Sequence, residues 1–110
     1  MIEGLFKVDF ETPIGSGSGA VVLRNGIVEG GDSMMAYRGT YTFDQTNQRF
    51  VAQIDTFEHT PVVGMSSVLG NSKAKIKVWG TFTAKGDYAS LEGVTEDASK
   101  VPFKGNLSAI

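Results

Sequence analysis

The chain has 110 residues, of which 41% are hydrophobic and 20% charged, a size and composition typical of one globular domain and unlike a disordered or collagen-like chain. There are 10 Lys and Arg residues against 12 Asp and Glu, so the positive surplus on which phosphate binding depends is absent and we expect no nucleic-acid partner. The sequence lacks cysteine, which excludes disulfides and thiolate metal sites. We expect a single domain over residues 1–110.

The same features predict a cytoplasmic protein. A chain without cysteine suits a reducing compartment. Glu3 stands where a secretory signal carries positive charge, and no apolar stretch is long enough to span a bilayer. We therefore expect neither secretion nor contact with a membrane.

The N-terminal part of the chain predicts strands joined by tight turns. Residues 6–11 alternate between apolar and charged side chains, which is the period of a half-buried strand. The glycine-serine run at residues 15–19 is interpreted as a flexible hairpin connection. Residues 20–23 then meet residues 27–28 across Asn25-Gly26, a dipeptide that favours a hairpin because both residues tolerate positive φ.

The middle of the chain predicts a second hairpin and one candidate helical turn. Residues 37–43 and 49–56 both alternate, and the polar residues 44–48 between them are typical of a turn. Prolines and glycines interrupt the pattern over residues 58–72. Within this stretch residues 66–69 favour one helical turn capped by serine.

Three further strands complete the predicted fold. They cover residues 73–84, with a bend at Gly80, then residues 88–95 and finally residues 101–110. About eight strands joined by short turns are typical of an antiparallel up-and-down meander, which closes because closure removes its exposed edges. We predict a small all-β barrel with at most one short helix.

The inward face of this barrel is rich in aromatic side chains, and two interpretations of it remain open. An eight-stranded barrel is either filled by its own side chains or holds one small ligand. Buried tyrosine hydroxyls need partners, which a ligand could supply. If the interior binds a small apolar ligand, the candidate residues are Phe6, Phe10, Tyr37, Tyr41 and Phe50.

One strand carries a basic row on its outer face. Lys73, Lys75 and Lys77 alternate with apolar residues and lead to Trp79. Such a row with an aromatic residue is able to stack nucleic-acid bases, but lysines also keep an outer face soluble and discourage edge pairing. A large aromatic side chain outside a barrel favours a protein interface, so we predict a partner or dimer contact at these four residues.

Catalytic chemistry has little support in the sequence. His59 is the single histidine, and the carboxylates are scattered rather than paired. Asp32 follows two glycines, where a carboxylate accepts hydrogen bonds from loop amides. A hydrolase that uses His59 and Asp32 is the enzymatic alternative. We expect no catalytic residue, no metal site and no cofactor.

The chain resembles the GrlR-type family of bacterial regulators over nearly its whole length. The most specific element is the spacing from Gly-Gly-Asp to Tyr-x-Gly. The resemblance is carried by residues 4–10, 17–23, 25–32, 37–39, 59–61 and 103–110. It implies a lipocalin-like β-barrel without enzymatic activity. It also implies a cytoplasmic homodimer that negatively regulates type III secretion genes by sequestering a transcription activator with a helix-turn-helix domain.

One departure from this family concerns the predicted partner surface. Its founding members carry an acidic Glu-Asp-Glu-Asp run that engages the activator, in the loop corresponding to residues 44–49. Here Asp44 is the only acid in that loop and Arg49 is basic. The electrostatic attraction to a basic partner is therefore expected to be much weaker.

Overall fold

The structure is a computed structural model, and it describes residues 2–61, 73–97 and 100–110. These residues form eight strands: β1 (Gly4–Thr12), β2 (Gly15–Arg24), β3 (Ile27–Gly31), β4 (Met35–Asp44), β5 (Arg49–Glu58), β6 (Lys73–Phe82), β7 (Tyr88–Thr95) and β8 (Pro102–Ala109). Each strand pairs antiparallel with the next, and β8 pairs with β1 to close the barrel. The predicted up-and-down barrel is confirmed.

The described residues contain no helix. The helical turn predicted at residues 66–69 lies outside them. Within the same described ranges, no helix is long and apolar enough to cross a membrane.

The hairpin predicted at Asn25-Gly26 is present between β2 and β3. Asn25 has φ 52° and Gly26 has φ 78°, so both turn residues are in the left-handed region that the dipeptide was expected to supply. This turn sets the register in which Arg24 faces Ile27 and Leu23 faces Val28.

The interpretation of residues 15–19 as a flexible connection is wrong, because they form the first half of β2. Their register on β1 runs from Gly15 opposite Thr12 to Gly19 opposite Val8. The glycines occupy the inward positions and Ser16 and Ser18 are exposed. The run thus has the period of a strand, but hydrogen atoms stand where inward side chains would be. The turn itself falls at residues 13–14.

Aromatic side chains close one end of the barrel. This end carries the turns from β2 to β3, β4 to β5 and β6 to β7, and we call it the closed end. The ring of Phe82 lies 5.4 Å from that of Phe50, 5.6 Å from that of Phe6 and 6.0 Å from that of Phe43, measured between centroids. Ile2 packs against this core as well. The opposite end carries the connections from β1 to β2, β3 to β4, β5 to β6 and β7 to β8, and we call it the far end.

Candidate ligand cavity

The barrel encloses a cavity of about 90 Å³ whose wall is apolar throughout. Side chains from all eight strands contribute to that wall. Most of them belong to the buried core, including Val21, Ala52 and Leu91. The interior is therefore only partly filled by its own side chains, and this apolar cavity is the feature on which a ligand-binding function could rest.

Four of the five residues predicted to contact a ligand line the cavity, namely Phe10, Tyr37, Tyr41 and Phe50. Phe6 does not. It is 2% exposed and packs edge-on against Phe82 in the aromatic cluster at the closed end. Aliphatic residues of β2, β6 and β7 line the cavity but were not among the predicted site residues. Their inward alternation marked them as core, and core position alone does not show which residues border a void.

The hydroxyl groups of the lining residues are all engaged by the protein. Tyr37 donates its hydroxyl proton to the carboxylate of Asp32. Tyr41 donates to the carbonyl oxygen of Ile2 at 2.5 Å, and Thr56 donates to the carbonyl oxygen of Ala74 at 3.1 Å. These partners explain how a wall that includes three hydroxyl side chains presents only apolar surface to the cavity.

The environment of the two tyrosines keeps both phenols protonated. Burial raises the pKa of Tyr37 well above its usual range, and the hydrogen bond to Asp32 raises it further. Burial also raises the pKa of Tyr41. Neither side chain supplies a charge to the cavity at physiological pH.

The cavity extends toward the end of the barrel that lacks the Phe82 cluster, where Phe10 and Tyr37 line it. Val8, Phe10, Tyr37 and Ile54 are its half-buried lining residues, and the other lining residues are buried. The rings of Phe10 and Tyr37 lie against Gly17 and Gly19 of β2. A methyl group at Gly17 would come within 2.7 Å of the Phe10 ring, and one at Gly19 within 3.2 Å of the Tyr37 ring. The two rings are able to lie beside this wall because glycine leaves it bare.

Asp32 has the turn-stabilising role that its position after two glycines predicted. One carboxylate oxygen accepts hydrogen bonds from the backbone N–H groups of Met34 at 2.9 Å and Met35 at 2.7 Å. The other accepts the Tyr37 hydroxyl. Asp32 thereby ties the connection between β3 and β4 to a residue of the cavity wall.

His59 lies near Asp32 but does not face its carboxylate. Its Nε2 atom is 2.9 Å from the backbone oxygen of Asp32, and its Nδ1 atom is 2.6 Å from the Thr60 hydroxyl. A histidine base needs a carboxylate or a substrate proton within hydrogen-bond reach, and both ring nitrogens have other partners here. The geometry does not support the hydrolase alternative.

The predicted basic row lies on the outer face of β6, and the register places an acid beside it. Lys75 faces Asp55 of β5, which in turn faces Arg38 and then Glu29 of the next strands. Charges therefore alternate across four strands around Lys75. This arrangement gives a mixed surface rather than the uniformly basic one that nucleic acid requires.

Lys73 and Lys77 complete the row and lead to Trp79. Both lysines are exposed; the register pairs Lys73 with Phe57 and Lys77 with Gln53. Trp79 is half-buried outside the barrel, where its indole N–H donates to Glu92 at 3.3 Å. It faces Val51, which is 43% exposed. All four predicted interface residues thus share one face.

The turn that corresponds to the acidic run of the GrlR-type founding members is stabilised locally. Asp44 accepts hydrogen bonds from the backbone N–H of Thr46 at 2.9 Å and from the side-chain amide of Asn47, also at 2.9 Å. These bonds hold the pKa of Asp44 below its usual range, with Asn47 the largest cause. The one acid of this loop therefore stabilises the turn in which it lies.

Among residues 2–61, 73–97 and 100–110, no group of His, Asp or Glu side chains is arranged to hold a metal ion. The chain matches no protein-family model and no curated protein. Fold and cavity define the chain as a small closed β-barrel with an incompletely filled apolar interior.

Proposed function

We propose that this chain is a binding protein without a catalytic centre and that its barrel interior takes a small apolar ligand. The cavity of about 90 Å³ carries the proposal. Protein interiors are packed with few voids larger than a water molecule, and at about 24 cal/mol per Å³ a void of this size costs about 2 kcal/mol of stability. A ligand that fills the void would recover that energy.

The chemistry of the wall supports the same conclusion. Apolar cavities stay dry, and an engineered one of about 150 Å³ in another protein binds benzene or xenon. The cavity of this barrel is of similar order and includes the half-buried rings of Phe10 and Tyr37 near the far end. A compact apolar molecule therefore has a site in the barrel.

Ala52 and its neighbour Val51 provide a matched pair of variants for the test. Ala52 is 4% exposed and lines the cavity, whereas Val51 lies on the opposite face of β5. Ala52→Leu adds three carbon atoms to the cavity, and Val51→Leu adds one outside it. We expect fluorobenzene, followed by fluorine NMR, to bind the wild type and Val51→Leu equally and to lose most of its affinity for Ala52→Leu.

Circular dichroism shows whether each variant is folded, and Ala52→Val is a smaller filling change if Ala52→Leu fails this control. Absence of fluorobenzene binding by the wild type would contradict the proposal. So would equal binding by the wild type and a folded, cavity-filled variant, because the probe would then occupy some other surface.

A second candidate function is regulation through contact with a protein partner, as the resemblance to GrlR-type regulators implies. Trp79 is the observation that favours it: a large, partly exposed aromatic side chain lies on the outer face of a closed barrel, next to exposed Val51. Aromatic residues are enriched at protein interfaces because they combine a large apolar area with a polar atom. On this hypothesis Lys73, Lys75 and Lys77 form the charged rim of the contact.

Affinity capture from the native cytoplasm tests this second function. The comparison is between the wild type, a Trp79→Ala, Lys75→Glu double variant, and Tyr88→Ala. Tyr88 is the matched control because it is an aromatic residue, 42% exposed, on a different strand of the outer face. A transcription activator that is retained by the wild type and by Tyr88→Ala, and lost by the double variant, would support the hypothesis. Capture of no specific protein by the wild type would contradict it.

A further inference from the structure

We infer that the ligand of this barrel is a compact hydrocarbon-like molecule with no hydrogen-bonding group on the part that enters, and that the cavity rejects hydroxylated analogues of the same shape. This inference rests on the proposed function and specifies the ligand class. Its basis is the orientation of the hydroxyl groups of Tyr37, Tyr41 and Thr56.

Each of these residues contributes carbon atoms to the cavity wall and directs its oxygen away from it. The hydroxyls donate to Asp32, to the Ile2 carbonyl and to the Ala74 carbonyl. No buried side-chain nitrogen or oxygen of the described residues is without a hydrogen-bond partner. The wall of the cavity is apolar throughout, so a polar ligand group would meet no polar surface inside it.

A polar group that enters such a cavity loses its bonds to water and gains none. Protein mutational data place the cost of this desolvation at a level that corresponds to a tenfold or larger loss of affinity. A charged group is excluded more strongly still. A ligand with a polar head must leave that head outside the apolar cavity.

Tyr37 is the residue of the cavity wall that determines this specificity. Its ring lines the cavity, and its hydroxyl occupies one oxygen of the Asp32 carboxylate. Removal of the side chain by Tyr37→Ala would vacate the space of the ring and leave that oxygen without its donor. A phenol would then fit where the tyrosine side chain had been and restore the same hydrogen bond.

The decisive experiment measures fluorobenzene and para-fluorophenol binding to the wild type and to Tyr37→Ala by fluorine NMR. We expect the wild type to bind fluorobenzene at least about tenfold more tightly than para-fluorophenol. We expect Tyr37→Ala, checked for folding by circular dichroism, to show a smaller or reversed ratio of fluorobenzene to para-fluorophenol affinity. If Tyr37→Ala does not fold, the affinities of the wild type for the two compounds still test the ligand class.

The outcomes separate the two proposals. Equal affinity of the wild type for the two compounds would overturn the ligand class while leaving the cavity as a binding site. An unchanged preference in folded Tyr37→Ala would overturn the role of Tyr37 and Asp32. Failure of the wild type to bind fluorobenzene at all would overturn the proposed function itself.

Discussion

The ring of Phe10 lies against Gly17 on the neighbouring strand, close enough that a methyl group on residue 17 would come within 2.7 Å of the ring. The two residues face each other directly in the register of β1 and β2. Phe10 is half-buried and lines the cavity near the far end. Its position beside the wall, rather than across the barrel, thus depends on the missing side chain at residue 17.

We expect Gly17→Ala to push the Phe10 ring toward the cavity and to weaken fluorobenzene binding about tenfold. The closest atoms belong to the far end of a side chain, which is able to rotate, so the change in unfolding free energy should stay within about 1 kcal/mol. Fluorine NMR gives the affinity and urea unfolding gives the stability.

Ser16→Ala is the matched control, because residue 16 is exposed on the same strand. The double variant Gly17→Ala, Phe10→Ala should regain affinity, since the ring that blocks the cavity is gone. If Gly17→Ala binds the probe as tightly as the wild type, the position of the Phe10 ring does not limit ligand binding.

A second inward glycine should respond very differently to the same substitution. A methyl group at Gly39 would lie 2.0 Å from the backbone oxygen of Gln53 and 2.7 Å from the Cα atom of Ile54. Gly39 faces Ile54 in the register of β4 and β5, so the contact is between paired strands and no side chain is able to move aside. We expect Gly39→Ala to lower the free energy of unfolding by about 3 kcal/mol or more.

Urea unfolding measures this effect, with exposed Thr40→Ala as the control on the same strand. Apart from the lower strand propensity of alanine, Thr40→Ala should change the free energy of unfolding by no more than about 0.5 kcal/mol. A Gly39→Ala protein as stable as the control would show that the two strands separate at little cost.

The two glycines show where sequence reasoning about this fold succeeds and where it fails. Alternation of apolar and polar side chains marks β4, β5 and β7 clearly, and the predicted segment 88–95 coincides with β7. The first half of β2 also alternates, but between glycine and serine. A hydrophobic pattern does not reveal a strand whose inward positions lack side chains. The missing side chains are explained only by what lies opposite them, such as the Phe10 ring.

The residues that line the cavity were predicted only in part, because the sequence pattern does not show where an inward residue lies along the barrel axis. Phe6 and Phe10 occupy equivalent inward positions of β1, and their sequence pattern does not distinguish them. The position of each along the barrel axis decides its role: Phe6 meets Phe82 at the closed end, and Phe10 borders the void. Likewise, period alone places the Tyr37 hydroxyl inside the barrel, whereas its bond to Asp32 depends on the connection between β3 and β4.

The carboxylate of Asp9 should report on its bond to Ser18. The Ser18 hydroxyl donates to Asp9 at 2.6 Å, and this bond is the largest cause that lowers the pKa of Asp9, with Lys7 adding to it. We expect Ser18→Ala to raise that pKa toward its ordinary value, as measured by carbon NMR of the carboxyl group during an acid titration. Because a lowered pKa stabilises the fold above the unfolded-state value, the wild type should lose this contribution as the pH falls through the pKa of the folded state.

Ser16→Ala is again the control, since residue 16 is an exposed serine of the same strand opposite Glu11 rather than Asp9. Its Asp9 titration should coincide with that of the wild type. An unchanged Asp9 pKa in Ser18→Ala would assign the shift to Lys7, whose Nζ atom lies 3.5 Å from the carboxylate.

The hydrogen bond between Tyr37 and Asp32 should make stability fall at alkaline pH. The pKa of Tyr37 is raised in the folded state, mainly by burial, so the folded protein holds the phenol proton more tightly than the unfolded chain does. Its stabilising contribution is complete below the unfolded-state pKa of about 10 and is lost as the pH rises above it. Tyr37→Phe lacks this proton and should be less sensitive to alkali.

Urea unfolding of the wild type and Tyr37→Phe at two pH values tests this linkage. At about pH 8 we expect Tyr37→Phe to be less stable by about 1.5–3 kcal/mol, the range for a hydrogen bond to a charged group. At about pH 11 the difference should shrink, because only the wild type has a Tyr37 proton to lose. Tyr41 is present in both proteins, and its raised pKa lowers the stability of both equally as the pH rises. A difference in stability that is the same at both pH values would mean that the Tyr37 phenol ionises no less readily in the barrel than in the unfolded chain.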